Sequence, residues 1–252
     1  MQSWLIRLGP LWFLGLLAIC WETASRTGLA DPRLLPPFSE TIKVLGTLLT
    51  TDRFLADLGI TAAEVLVAFI IVTPLGLGVG LWLGEKPKLY ALFAPALNLL
   101  LAVPKSIFLP IFIFAFGIGF AQKIIYAVTL AFFIVVLTGI AAARSVPAGL
   151  VTMAHAYGAT RRQIYVQIYL PAMEPLILEG LRTGLIYTIT GVLIAEMYGS
   201  PRGLGRLIFA WGESSRMPEL MAAVTLVVVL TIAANECLRA VEDMRRNRRK
   251  MA

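Results

Sequence analysis

An all-α integral membrane protein with about six transmembrane helices is the fold class this sequence predicts, and three observations carry it. The 252 residues are 58% hydrophobic and only 15% charged, against roughly a quarter charged in soluble domains. The mean hydropathy is +0.81. Several apolar stretches also reach the ~20 residues that a helix needs to cross a ~30 Å hydrocarbon core, so the prediction rests on segments as well as on the average.

The first apolar run, residues 8–23, follows Arg7. It reads as a signal anchor or first span: no clean small-x-small cleavage site follows, and Trp21 and Glu22 interrupt where cleavage would fall. Residues 25–57 mix charges of both signs with Pro32, Pro36 and Pro37, which predicts an external loop with a short interfacial helix. The second span is residues 58–84. Gly76, Gly80 and Gly84 line one of its faces, a small-residue ladder that lets another helix approach closely in lipid.

After the short loop of Glu85, Lys86, Pro87 and Lys88, the third span, 89–116, is broken by Pro95, Pro104 and Pro110. Such breaks survive at membrane depth only where protein or water satisfies the freed carbonyls, which places this span against the bundle interior. Gly117, Ile118 and Gly119 make a turn into the fourth span, 122–143. The fifth and sixth spans are 176–198 and 219–238, separated by a loop with Gly199, Pro201, Gly203 and Gly205. A tail of Arg245, Arg246, Arg248, Arg249 and Lys250 closes the chain.

The formal net charge of +7 reads as topology, since Lys and Arg accumulate on the cytoplasmic side. No basic stripe interleaved with aromatics points to nucleic acid. Lys86, Lys88, Arg144, Arg161, Arg162, Arg239 and the tail fall on one side, and the short loop and tail place both termini in the cytoplasm. Cys20 and Cys237 lie in apolar runs near opposite ends and read as small buried side chains.

The longest polar interruption of the second half therefore lies in the cytoplasm. Within it, residues 152–171 read as two short helices broken at Gly158, the second capped by Thr160. Tyr165 and Tyr169 share one face, Ile164 and Ile168 another, and Arg161, Arg162, Gln163 and Gln167 supply polar contacts. Pro171 and Pro175 lead into the fifth span. Two readings fit such a hairpin: docking to a soluble partner, or rest on lipid headgroups.

This segment resembles the EAA loop of binding-protein-dependent ABC importer permeases, whose usual form is E-A-A-x-x-x-G-A-[ST] with L-P about nine residues on. Gly158, Ala159 and Thr160 match, as do Leu170 and Pro171. The likeness continues through Leu109-Pro110, Phe116-Gly117-Ile118-Gly119, Gly180-Leu181-Arg182, Ala195-Glu196 and Gly203-Leu204-Gly205, over residues 55–240. The subgroup for nitrate, sulfonates and taurine is closest in pattern. Thr152 and Met153 depart at the usual glutamate and first alanine, and Lys105 stands where a second proline usually follows Pro104.

The resemblance implies a type I ABC importer permease-like bundle in the bacterial plasma (inner) membrane. Residues 1–54 are then the first span and external loop, 55–240 the permease domain, and 241–252 the cytoplasmic tail. It implies that Ala154, Gly158, Ala159, Thr160, Arg161, Arg162, Leu170 and Pro171 belong to a loop coupled to a separate ABC ATPase. No G-x-x-x-x-G-K-[ST] loop occurs in the chain, so ATP and Mg belong to that partner and the chain itself needs no cofactor. The other implied partners are an external solute-binding protein and a second permease copy, identical or related. A stand-alone secondary transporter or channel is the alternative, though neither internal repeats nor a dense set of buried ionisable groups favours it. No nucleophile, base and metal-ligand constellation suggests an enzyme.

Ionisable groups inside the bilayer need a reason. Lys105 has three: attracting an anionic solute in the translocation path, pairing with a carboxylate such as Glu196, or snorkelling. Glu196 is either a tie to the glycine-rich loop or part of the path's outer gate. Glu179 and Arg182, three residues apart, predict an intrahelical ion pair. His155, the single histidine, reads as a surface residue of the loop.

Overall fold

The computed structural model describes the backbone of residues 2–251, and side chains for residues 12–240 and Met244. In chain order it contains α1 (Gln2–Arg26), α2 (Phe38–Leu48), α3 (Asp52–Gly84), α4 (Pro87–Ala102), a short tight turn of helix (Lys105–Phe108), α5 (Leu109–Phe116), α6 (Phe120–Arg144), α7 (Ala148–Ala156), α8 (Arg161–Ile164), a wide helical turn (Tyr165–Tyr169), α9 (Leu170–Gly199), α10 (Leu204–Glu213) and α11 (Met217–Met251). Among the described residues, four helices are long and apolar enough to cross a membrane, and α4 and α5, bent by 78° at their junction, are long and apolar enough only when taken together. The expected first span, residues 8–23, falls within α1; side chains up to residue 11, and those of the basic tail, lie outside the described ones.

The core is a three-helix pack of α3, α6 and α9, and small residues set its spacing. Gly80 lies against Gly139, and an added Cβ there would collide with the Val136 carbonyl. A Cβ on Gly76 would come 2.8 Å from Val135, and one on Gly191 2.7 Å from the Ala127 backbone. The glycine ladder read from the sequence is thus the seam between α3 and α6, with backbones close enough for dispersion to hold the pair without a hydrophobic drive. Ala68, Ala127, Ala131, Val136, Val192 and Ala195 are fully enclosed there.

Around this pack, α10 and α11 close one end through Phe54, Leu204, Trp211, Ala223 and Leu226, with Phe54 and Trp211 stacked at 6.3 Å. α2 lies on α11. α1 is tied to the segment before α2 by Trp21 Nε1, which donates to the Pro36 carbonyl at 2.9 Å, and Ser25 Oγ, which donates to Leu35 at 2.7 Å.

Three expectations need correction. The fifth span does not begin at residue 176: α8, the wide turn and α9 form one 39-residue helix, Arg161–Gly199. Pro171 is accommodated because Leu170 N–H reaches back five residues to the Tyr165 carbonyl, and the widened turn relieves the clash a proline ring makes with the preceding turn. Only the second half of the proline-broken third span faces the interior within this chain: Leu109 of α5 is buried against Tyr126 and Ala195, whereas no residue of α4 is buried. The 78° bend swings α4 outward, and apolarity alone does not separate a core face from a lipid or partner face. Cys20 and Cys237 are exposed, because α1 and α11 turn apolar faces outward, which hydrocarbon accepts as readily as a core does.

Candidate functional site

Two constructions at opposite ends of the bundle stand out from the packing. The first is the loop before the long helix. α7 ends at Tyr157, and Gly158 takes φ +76°. Ala159 N–H donates to the Ala154 carbonyl and Gly158 N–H to His155, both at 3.0 Å. This is a Schellman closure, which wants glycine at its left-handed position. Thr160 then opens the next helix with a reciprocal cap: its N–H donates to Gln163 Oε1 at 2.8 Å, and Gln163 N–H donates to its hydroxyl at 3.4 Å. The break at Gly158 and the cap at Thr160 stand as read; the second helix is long rather than short.

Ile164 is buried, and Tyr165 and Tyr169 stack at 5.9 Å. These side chains, with Gly84, Glu85, Ala143 and His155, border a groove of about 610 Å³ where α3 and α6 end. Arg161, Arg162, Gly158, Thr160 and Leu170 are exposed, and Ala154, Ala159 and Pro171 half-buried. No residue of α7 is buried; Met153 is 53% exposed and Tyr157 85%. A rigid helix carrying large apolar side chains on open surface, next to two arginines, has the character of a protein contact. His155 is exposed as expected, and Arg182 and Glu179 pair at 3.1 Å.

At the other end lies a buried polar cluster. Glu196 is fully enclosed; Thr61 donates to its Oε1 at 2.7 Å and Gly205 N–H to its Oε2 at 2.7 Å. Thr61 also accepts from Leu204 N–H at 2.9 Å. One turn earlier on α3, Asp57 accepts from Arg202 Nε at 2.5 Å and Gly203 N–H at 3.2 Å. One turn later, Glu64 pairs with Lys123, which also donates to Ser200 Oγ at 3.1 Å. Gly203 and Gly205 are glycines because a Cβ at either would strike Glu196. Of the two roles open to Glu196, the structure shows the tie to the glycine-rich loop; with 0% exposure it borders no accessible path within this chain. Asp57, Thr61, Glu64, Lys123 and Arg202 were not singled out from sequence. The available signal was Glu64, an acid seven residues into an apolar run.

Lys105 sits apart from this cluster, at the bend between α4 and α5. Its Nζ stands over the Phe133 ring at 5.2 Å. The pairing with Glu196 is excluded, because Glu196 is occupied by Thr61 and Gly205.

Residues 54–249 match the family described as binding-protein-dependent transport system inner membrane component. The chain belongs to this family. It is similar to the taurine transport system permease protein of Escherichia coli (strain K12), 27% identical over 234 residues, covering 91% of this chain and 85% of that protein. A putative aliphatic sulfonates transport permease protein of Bacillus subtilis (strain 168) is 26% identical over 236 residues, covering 92% and 86%. Among solved structures, the MetNI methionine ABC transporter in inward-facing conformations matches with TM-score 0.60 and 24% identity over 74% of this chain and 95% of that one; this likeness is one of fold. The permease is therefore a multi-pass inner-membrane transport subunit of an ABC importer rather than an enzyme, from a family that works with ATPase subunits and a binding protein.

Proposed function

We propose that this chain forms the translocation path of an ATP-driven importer for a small, anionic organic or inorganic solute, and that residues 152–171 couple it to a separate ATPase. The observation that carries the coupling reading is α7: a helix with no buried residue, joined through the four-residue turn 157–160, which the Schellman closure and capping box fix, to a 39-residue span. A push on such a helix passes into the span rather than dissipating in a flexible linker. Ala154, Gly158, Ala159 and Thr160 shape the turn, Arg161 and Arg162 offer charge to the partner, and Leu170 and Pro171 carry the helix past the wide turn. ATP and Mg reside in the partner subunit.

The same reading puts both termini in the cytoplasm. Residues 1–54 are a peripheral first span and external loop, 55–240 the permease domain, and 241–252 a basic tail. A second permease, identical or related, covers the apolar face of α4 and α5, where Phe114 is 89% exposed. An external solute-binding protein delivers the solute, and relatives named for taurine and aliphatic sulfonates, which share a sulfonate, support one with an anionic group. The experiment is to purify the tagged permease from mild detergent, identify what accompanies it and assay ATP hydrolysis. A stoichiometric, active ATPase partner is the expected result. A preparation that moves solute into liposomes without one would make this a secondary transporter or channel.

A further inference from the structure

The bend in the broken span carries a charge that no carboxylate neutralises among the described residues. Lys105 follows Pro104 in the tight turn between α4 and α5. Among the described residues no carboxylate pairs with it, and its one close partner is the Phe133 ring at 5.2 Å. Phe133 lies near the middle of the 25-residue α6, so the ammonium sits near half depth. Insertion into hydrocarbon penalises an ammonium there by more than a single cation–π contact returns. A water-lined path resolves the deficit where a lipid face does not.

What surrounds Lys105 is consistent with such a path. It borders a cavity of about 300 Å³ together with Ser106, Tyr187 and Thr190, and Leu130 and Ile134 form part of the apolar wall. The Thr190 hydroxyl proton is committed to the Ile186 carbonyl at 2.9 Å. The hydroxyls of Ser106 and Tyr187 bond to no other protein group and remain available as donors. One point cation, two hydroxyl donors and an apolar wall suit a small organic anion with a compact oxyanion head, such as a sulfonate or carboxylate.

We propose that Lys105 is the charge-selecting residue of the translocation path, with Ser106 and Tyr187 donating to the oxyanion oxygens of the passing solute. The proposal rests on the permease reading above and adds a residue that the usual proline at this position would not supply. A single ammonium, unlike a bidentate guanidinium, holds an oxyanion without fixing its orientation. A path needs this: binding firm enough to admit the solute and weak enough to release it.

The test uses thiol-reactive methanethiosulfonates as solute-sized probes, one bearing a sulfonate and one a trimethylammonium. In a Cys20→Ser, Cys237→Ser background, Tyr187→Cys is labelled in open membrane fragments that admit reagent from both sides. The expected result is faster modification by the sulfonate reagent, with the anion-to-cation rate ratio falling about tenfold in Lys105→Met and Lys105→Gln and retained in Lys105→Arg. A ratio unchanged by removal of the charge overturns the role of Lys105 while leaving the path in place. Failure of both reagents at residue 187, when Ser214→Cys in the same membranes reacts, shows that no aqueous path runs here and overturns the path reading itself.

Discussion

Gly158 is the one residue of the 152–171 segment whose identity is selected by backbone conformation, at φ +76° with open space around its Cβ position. A side chain there meets no neighbour, so the cost of substitution is purely conformational: ~1–2 kcal/mol for an ordinary residue, more for a β-branched one. Gly158→Val is expected to insert and accumulate normally but to cut solute uptake at least about tenfold at unchanged ATPase binding, with Gly158→Asn milder because Asn tolerates this region. Uptake in vesicles alongside co-purification of the ATPase checks both halves. Lys123 and Glu64 give a second residue-scale prediction. Lys123→Met leaves a buried carboxylate without its cation, a loss of ~3–5 kcal/mol, whereas removing both charges is far less costly. Heat inactivation in detergent should therefore be markedly faster for Lys123→Met and largely restored in the double variant Lys123→Met, Glu64→Leu. Gly158 could be recognised in the sequence because its turn is local. The charge cluster could not, because its members are separated by up to 146 positions, as from Asp57 to Gly203, and neither Lys123 at the start of the fourth span nor Arg202 in the glycine-rich loop has a visible partner until α3 is placed beside it.

At the scale of elements, the same small residues that made α3 legible determine how it packs. Gly76, Gly80 and Gly84 occur at every fourth position, and each faces α6. Replacing Gly80 by Leu forces the seam apart against the Val136 carbonyl and Gly139, where backbone cannot yield; it should lower the amount of folded protein severalfold. Gly78→Leu, with nothing within 4 Å of its Cβ position, should change little. Fluorescence-detected size exclusion of tagged variants separates the two. The start of the long helix makes a different demand. Arg161 and Arg162 are exposed in its first turn, where cations are unfavourable beside the positive end of the helix dipole. That placement is better explained by an external acidic partner than by the helix's own stability. Reversing both to Glu should improve the helix terminus yet weaken ATPase docking at least about tenfold, measured by co-purification at rising salt; unaltered assembly would assign the arginines to lipid headgroups. The continuity of Arg161–Gly199 was not legible, because Pro171 and Pro175 are ordinarily boundary residues and the wide turn that accommodates Pro171 has no composition of its own.

For the whole molecule, the expected orientation can be tested at the two ends of the bundle. At the end formed by Glu85, Ala143 and Arg161, Lys86 and Arg144 lie over Trp82 and Tyr90 rather than over carboxylates, and no carboxylate pairs with Arg161 or Arg162 among the described residues. At the opposite end Arg26 pairs with Glu22, Lys123 with Glu64, Arg202 with Asp57 and Arg216 with Glu219, whereas among the described residues Arg33, Lys43, Arg53 and Arg206 form no ion pair. Ion pairing therefore does not distinguish the two ends, and the expected orientation rests on the short loop with Lys86 and Lys88 and on the basic tail. The loop around residue 155 should then face the cytoplasm and the turn around residue 214 the outside. In the background without Cys20 and Cys237, an impermeant maleimide added to intact cells should modify Ser214→Cys and spare His155→Cys, with His155→Cys reacting only after the membrane is opened. The reverse pattern would put the groove beside α7 out of reach of any cytoplasmic ATPase, and the coupling role would fall with it whatever the loop's geometry.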